Sequence, residues 1–172
     1  MTAALLLADG LRSAHGVAER LAWSHARLAD FFPVTEPALE ALTAEREESI
    51  DAYLHRFNNL LSIVQDHLFK SVALVEQEDI ADKSKRDQTN LMEKLGAIPS
   101  ATGFSSLAEL RNRLAHHYPN EAAKQVERLN AAWRRGPDLI AAFNAVRRHV
   151  VAKRLADGPD VGEVACAVTA EP

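Results

Sequence analysis

Residues 50–75 read IDAYLHRFNNLLSIVQDHLFKSVALV, and this stretch decides the fold. Its apolar positions Ile50, Tyr53, Leu54, Phe57, Leu60, Leu61, Val64, Leu68, Val72 and Val75 recur at spacings of three and four. That period gathers them into one stripe along a helix, and such a stripe is stable only when buried against other elements. Between Pro37 and Gly96 there is neither Gly nor Pro to interrupt it. A long helix starting after Pro37 is therefore expected. The polar, acidic run from Glu76 to Asp82 should end or bend it.

Outward from this stretch the breakers punctuate further helices. A helix ending at Gly96 is expected after Leu91, Met92 and Leu95, because glycine is the favoured residue just past a helix end. Toward the N-terminus a helix over 11–31 would carry Leu11, Ala14, Val17, Leu21 and Leu28 on one face and stop at Pro33. Toward the C-terminus Ser106-Leu-Ala-Glu109 reads as a capping box opening a helix with the stripe Leu107, Leu110 and Leu114, limited by Pro119. Two more helices are expected. One covers 120–134 with Ala122, Val126, Leu129 and Trp133; the other covers 137–155 with Leu139, Ile140, Phe143, Val146, Val150 and Val151, and Pro137 suits its first turn. Nothing alternates with the period of a strand. The fold class expected is all-α: an up-and-down bundle of about four to six helices, forming a single domain over 1–157, with a mobile acidic tail over 158–172.

Composition narrows the function classes. With 172 residues and 47% apolar side chains, the chain can bury a full core and does not read as disordered. Cys166 is its one cysteine, which excludes an intramolecular disulfide and a thiolate zinc cluster and makes a reducing, cytoplasmic setting the expectation. The apolar opening Met1–Ala8 lacks a basic flank and is interrupted by Asp9, Gly10 and Arg12, so neither a signal peptide nor a membrane anchor is expected. Phosphate-loop, dinucleotide, zincin and nucleophile-elbow motifs are absent from the sequence. The formal net charge of −4 conceals a division. Residues 1–110 carry 10 basic and 17 acidic side chains, residues 111–154 carry 10 and 3, and residues 155–172 carry none and 4. An anionic partner would prefer the middle block.

That block opens with Arg111-Asn112-Arg113-Leu114-Ala115-His116-His117-Tyr118. A helix turns through about 100° per residue, so Leu107, Leu110 and Leu114 face one way while Asn112 and His116 share another face. Arg111 and His116 lie about 140° apart around the axis. They converge on one substrate only if the arginine reaches round or a second subunit completes the site. These side-chain types suit RNA cleavage without a metal. Histidine, titrating near neutral pH, can take the proton of a ribose 2′-OH or give one to the departing 5′ oxygen. Arginine offers a fixed fork of donors to a phosphate gaining charge. Asn112, one turn before His116, can hold the imidazole in one orientation, and Tyr118 can donate to phosphate or stack on a base. Arg20 and His25 repeat the arginine–histidine spacing, but Leu21 and Arg27 stand where the motif has Asn112 and Tyr118.

Arg111-Asn-x-x-x-His116-x-Tyr118 on a late helix of a small all-α chain resembles the HEPN superfamily, and the tyrosine two residues after the histidine resembles its HepT-like toxins. The sharp part of the likeness covers about eight residues. The resemblance implies a homodimeric, metal-independent endoribonuclease toxin of a toxin–antitoxin system, with the two motifs facing each other across the dimer axis. It also implies a partner antitoxin with a minimal nucleotidyltransferase fold, able to silence the toxin by transferring AMP to Tyr118. On this reading Arg111 and His116 are catalytic and Asn112 supports them. Tyr118, Arg113 and His117 contact RNA, and no cofactor or metal is required. The additional His117 leaves open which histidine does the chemistry.

Blander readings compete at every position. His15, His25, His55, His67 and His149 fall on different expected helices without metal-ligand spacing. Arg134-Arg135 and Arg147-Arg148 read as solvated faces that could also flank an RNA groove. Phe57, Phe69, Trp23, Trp133 and Tyr53 read as core or dimer-interface residues. The alternative function is a non-catalytic helical module that binds RNA, nucleotide or a partner protein through the same basic groove.

Overall fold

The computed structural model describes residues 2–115, 121–158 and 160–166. In chain order these form α1 (Ala3–Arg27), α2 (Glu36–Glu40), α3 (Ala44–Ser62), a π-helical turn (Ile63–Leu68), α4 (Phe69–Val75), α5 (Lys85–Leu95), α6 (Ala101–Leu114) and α7 (Ala122–Lys153). Strands are absent among the described residues. Since α3, the π turn and α4 are continuous, the described residues comprise six helical rods, an all-α bundle as the periodicity predicts.

The long stripe at 50–75 is the bundle's centre. Tyr53, Phe57, Leu60, Leu61, Val64, Leu68, Phe69 and Val72 are all at most 1% exposed. They share one core with Leu7, Ala14, Ala18 and Leu21 of α1 and Leu139, Phe143 and Val146 of α7. Burying each large side chain contributes roughly 1.5–3 kcal/mol, so this seam dominates the stability. Cross-helix contacts set the directions. Arg56 meets Ser24 and Arg46 meets Asp30, so α1 and α3 are antiparallel. Tyr53 meets Ala132 and Trp133 while Glu76 meets His149 and Lys153, so the central rod runs parallel to α7. Trp23, expected in a core or interface, is 56% exposed, with the Arg27 and Arg56 guanidiniums over its ring.

Local signals explain several boundaries and mislead at others. Gly96 ends α5 in the left-handed region at φ 81°, as expected. α1 starts at Ala3 rather than 11, because the Thr2 hydroxyl caps it by accepting from Leu5 N–H; it ends at Arg27. The short α2, begun by Thr35 and Glu36-Pro37, has too few residues to show a period. The capping box at Ser106 does not open a helix. Ser100 caps α6 instead, accepting from Gly103 N–H at 3.0 Å. Ser106 lies within α6, donates to Gly103 O at 2.7 Å and accepts from Arg135 Nη2 at 2.9 Å.

The largest departure is at Gly136-Pro137, where two expected helices are one. Proline removes the N–H that would bond the carbonyl of Trp133 and normally ends or kinks a helix. Here the buried Tyr53 hydroxyl donates to Ala132 O at 3.0 Å and is 3.3 Å from Trp133 O, supplying a donor where the ladder lost one. A Cβ at Gly136 would overlap that hydroxyl, so the glycine makes room for its neighbour's compensation. Burial, with a smaller contribution from Cys166, pushes the Tyr53 phenol far above its ordinary pKa and keeps the donor proton in place.

The tail expected to be mobile from 158 is packed in part. Val164 is buried, and its backbone N–H and C=O pair with the Asn144 side chain at 3.0 and 2.9 Å. Asn130, also on α7, holds Val34 in the same way, at 2.7 and 2.9 Å.

Candidate functional site

Helix α6 sorts its own side chains. Phe104, Leu107 and Leu110 are buried toward the bundle, which leaves Arg111 half-buried and Asn112 and Arg113 exposed on the last turn. Basic side chains there are favoured by the partial negative charge at a helix C-terminus. The Ala115 N–H closes the turn onto the Arg111 and Arg113 carbonyls. Arg111 reaches α3, where its Nη1 lies 3.4 Å from the Ser62 hydroxyl, the residue just before the π turn. Arg113 makes no ion pair among the described residues, and its carbonyl accepts from Arg128 Nη1 of α7 at 2.8 Å. Asn112 diverges from Arg111 and borders a cleft between α5 and α6. His116, His117 and Tyr118 lie outside the described residues. The structure thus gathers Arg111, Asn112 and Arg113 on one helical turn.

The remaining charges of the basic block are differently placed. Arg135 pairs with Asp138 at 2.6 Å and also reaches Ser106. Arg147, with a side chain only 13% exposed, is clamped by Asp160 and by Glu163 at 3.5 Å, and Arg148 meets Glu163 at 3.0 Å. The acidic segment after α7 therefore occupies Arg147 and Arg148, one of the two arginine pairs that could have flanked an RNA groove, while Arg134 stays exposed with no ion pair among the described residues. Its Asp160 carboxyl is held below its ordinary pKa mainly by the hydrogen bond from Arg147.

Two polar features were not singled out from the sequence. Glu76 sits between His149 and Lys153, the latter at 2.6 Å. Burial alone would raise its carboxyl, but hydrogen bonds from those two partners outweigh burial and lower it. The sequence shows Glu76 only as part of a breaker. The second feature is the α5–α6 cleft itself, about 490 Å³, floored by Gln65 of the π turn and bordered by Lys85, Arg86, Asn90, Ser105 and Asn112. A π turn leaves no mark in a pattern of spacings three and four, so this grouping was invisible. A larger cleft of about 670 Å³ opens between α1 and the π turn beside Asp9, Ser13, Asp66 and His67, and none of the motif residues lines it.

Among the described residues no three His, Cys, Asp or Glu side chains lie close enough together to hold a metal ion. No helix among them is long and apolar enough to cross a membrane. Comparison with known proteins returns no matching family model, no matching curated protein and no matching solved structure.

Proposed function

We propose that this chain is a metal-independent endoribonuclease, the toxin of a toxin–antitoxin system, acting as a homodimer in the cytoplasm. The observation that carries the reading is the state of Arg111. Its half-buried guanidinium, on the last turn of α6, is turned toward α3, touches only a hydroxyl at the long distance of 3.4 Å, and has no carboxylate partner among the described residues. An arginine so placed can reorient onto a phosphate at little electrostatic cost.

In the proposed reaction one histidine, His116 or its neighbour His117, takes the proton of a ribose 2′-OH. The 2′ oxygen attacks the adjacent phosphorus, the bond to the 5′ oxygen breaks, and that oxygen leaves with a proton. The products are a 2′,3′-cyclic phosphate and a free 5′-OH. Arg111 stabilises the charge gained by the phosphate, and Asn112 orients the imidazole. Tyr118, Arg113 and His117 hold the RNA. Silencing would come from a minimal nucleotidyltransferase antitoxin: the Tyr118 oxygen attacks the α-phosphorus of ATP, AMP is transferred and pyrophosphate leaves. This blocks the phenol and adds negative charge where RNA phosphate must bind.

Growth of cells expressing the chain tests the reading without knowledge of the target. Wild type should arrest growth, and His116→Ala and Arg111→Ala, expressed to equal levels, should not. Arrest that persists in both variants would refute the catalytic roles and favour the RNA- or partner-binding module. Intact mass of protein co-expressed with its antitoxin should show one added adenylyl group, absent in Tyr118→Phe. An unmodified mass together with full neutralisation of Tyr118→Phe would replace AMP transfer with steric inhibition.

A further inference from the structure

The π turn presents a side chain that the fold itself does not use. Gln65, on that turn, is only 5% exposed, borders the cleft between α5 and α6, and makes no side-chain hydrogen bond among the described residues. The carboxamide is not sealed from solvent, so its polar atoms open onto the cleft, and π turns are often retained where they aim a side chain at a functional site. The cleft, about 490 Å³, falls within the roughly 300–1,000 Å³ typical of small-ligand sites. Its helices run antiparallel, since Glu93 of α5 reaches the backbone N–H of Ala101 at the start of α6. Lys85 and Arg86, on the first turn of α5, therefore lie toward the end of α6 that carries Asn112. Lys85 is engaged by Asp66, whereas Arg86 is exposed and without an ion pair among the described residues. The cleft thus offers the Gln65 amide, hydroxyl and amide groups along its walls, the Glu109 carboxylate on α6, and Arg86 as a cation without an ion pair among the described residues.

We infer that this cleft receives a single unpaired nucleobase, its hydrogen-bonding edge read by Gln65 and its phosphate held by Arg86. This rests on the reading of the chain as RNA-directed and supplies what Arg111 and the histidines lack, a means of choosing the base. A carboxamide has one acceptor and two donors and can pair with a base edge at two points, which discriminates between bases; an arginine on phosphate contributes affinity alike for every base. The same chemistry fits a free nucleotide, so the probes must separate the two sources.

Calorimetric titration of 2′-O-methyl trinucleotides, which resist cleavage through the 2′ oxygen, and of the four 5′-mononucleotides provides the test. Wild type should bind trinucleotides with a preference for one central base. Gln65→Leu should lower affinity for the preferred base by about tenfold or more and flatten the preference, and the near-isosteric Gln65→Glu should shift it. Exposed Arg86→Ala should weaken all bases equally, and circular dichroism should show each variant folded. Trinucleotides binding more tightly than mononucleotides assigns the cleft to an RNA strand; equal binding assigns it to a free nucleotide. The outcomes also separate the two readings. Cleavage by wild type with base preference and affinity unchanged in Gln65→Glu and Arg86→Ala overturns the cleft and leaves the nuclease standing. Gln65-dependent binding without cleavage does the reverse. Absence of binding by any probe overturns the cleft assignment.

Discussion

Along α7 four basic side chains are occupied, Arg135 by Asp138, Arg147 by Asp160 and Glu163, Arg148 by Glu163 and Lys153 by Glu76, while the exposed Arg134 makes no ion pair among the described residues. At the end of α6, Arg111 has only the Ser62 hydroxyl, and Arg113 has no ion pair among the described residues. Both groups belong to the same basic block of the sequence. The difference teaches that formal charge is not available charge. Pairs on the surface add little stability, typically 0–1 kcal/mol, but they fix where a guanidinium points and what it can still bind. Most charged groups of α7 are engaged in holding the fold, whereas Arg111 and Arg113 at the end of α6 have no carboxylate partner among the described residues.

Substitution can break that contrast, and the largest effect on folding should come from the framework. Gly136→Ala places a methyl onto the Tyr53 hydroxyl and should destabilise by about 3 kcal/mol, read as a lower denaturant midpoint with an unchanged slope. An unaltered midpoint would mean that the two helices do not approach as described. Asn144→Ala leaves the Val164 backbone N–H and C=O without partners and should cost about 2 kcal/mol and speed proteolysis after α7. Tyr53→Phe should cost about 1–2 kcal/mol, because the carbonyl freed by Pro137 loses its donor.

A smaller effect concerns pH. His25 is 2% exposed, stacks on Trp133 with ring centroids 4.6 Å apart, and neither ring nitrogen has a hydrogen-bond partner. Burial lowers its pKa below the ordinary 6.5, so the unfolded chain takes up a proton before the folded one. Stability should therefore decline as pH falls below about 6.5, by at most ~1.4 kcal/mol per pH unit from this group. His25→Phe should flatten that part of the profile, and an unchanged slope would exclude His25 as its source. The smallest effect should come from the motif. Arg111→Ala and Arg113→Ala should leave stability within about 0.5 kcal/mol of wild type; a loss as large as that of Asn144→Ala would make the end of α6 part of the framework after all.

What the sequence made legible was whatever depends on periodicity or a single strong residue. The stripe through residues 50–75, the break after Val75 and the stop at Gly96 all act locally. The missed features depend on partners far along the chain. Pro137 is tolerated because Tyr53, 84 positions earlier, restores a donor. The packing of residues 160–166 depends on Asn144 and Arg147, and nothing in that segment's composition announces them. Ser106 and Glu109 satisfy a capping pattern, yet the helix had already begun at Ser100-Ala101, so a correct local signal lost to an earlier one. Of the candidate site, the residue types and spacing were legible. The occupancy of the surrounding arginines and the Gln65 cleft were not, because both are set by which helices pack together.

Cleavage of RNA in EDTA is the most direct measurement of the central claim. Purified wild-type protein should cut tRNA or mRNA to fragments ending in a 2′,3′-cyclic phosphate. Arg111→Ala and His116→Ala, with helicity preserved, should each lose roughly 10²-fold or more of that rate. Wild-type protein that binds RNA as tightly as both variants and cuts none of it would contradict the account.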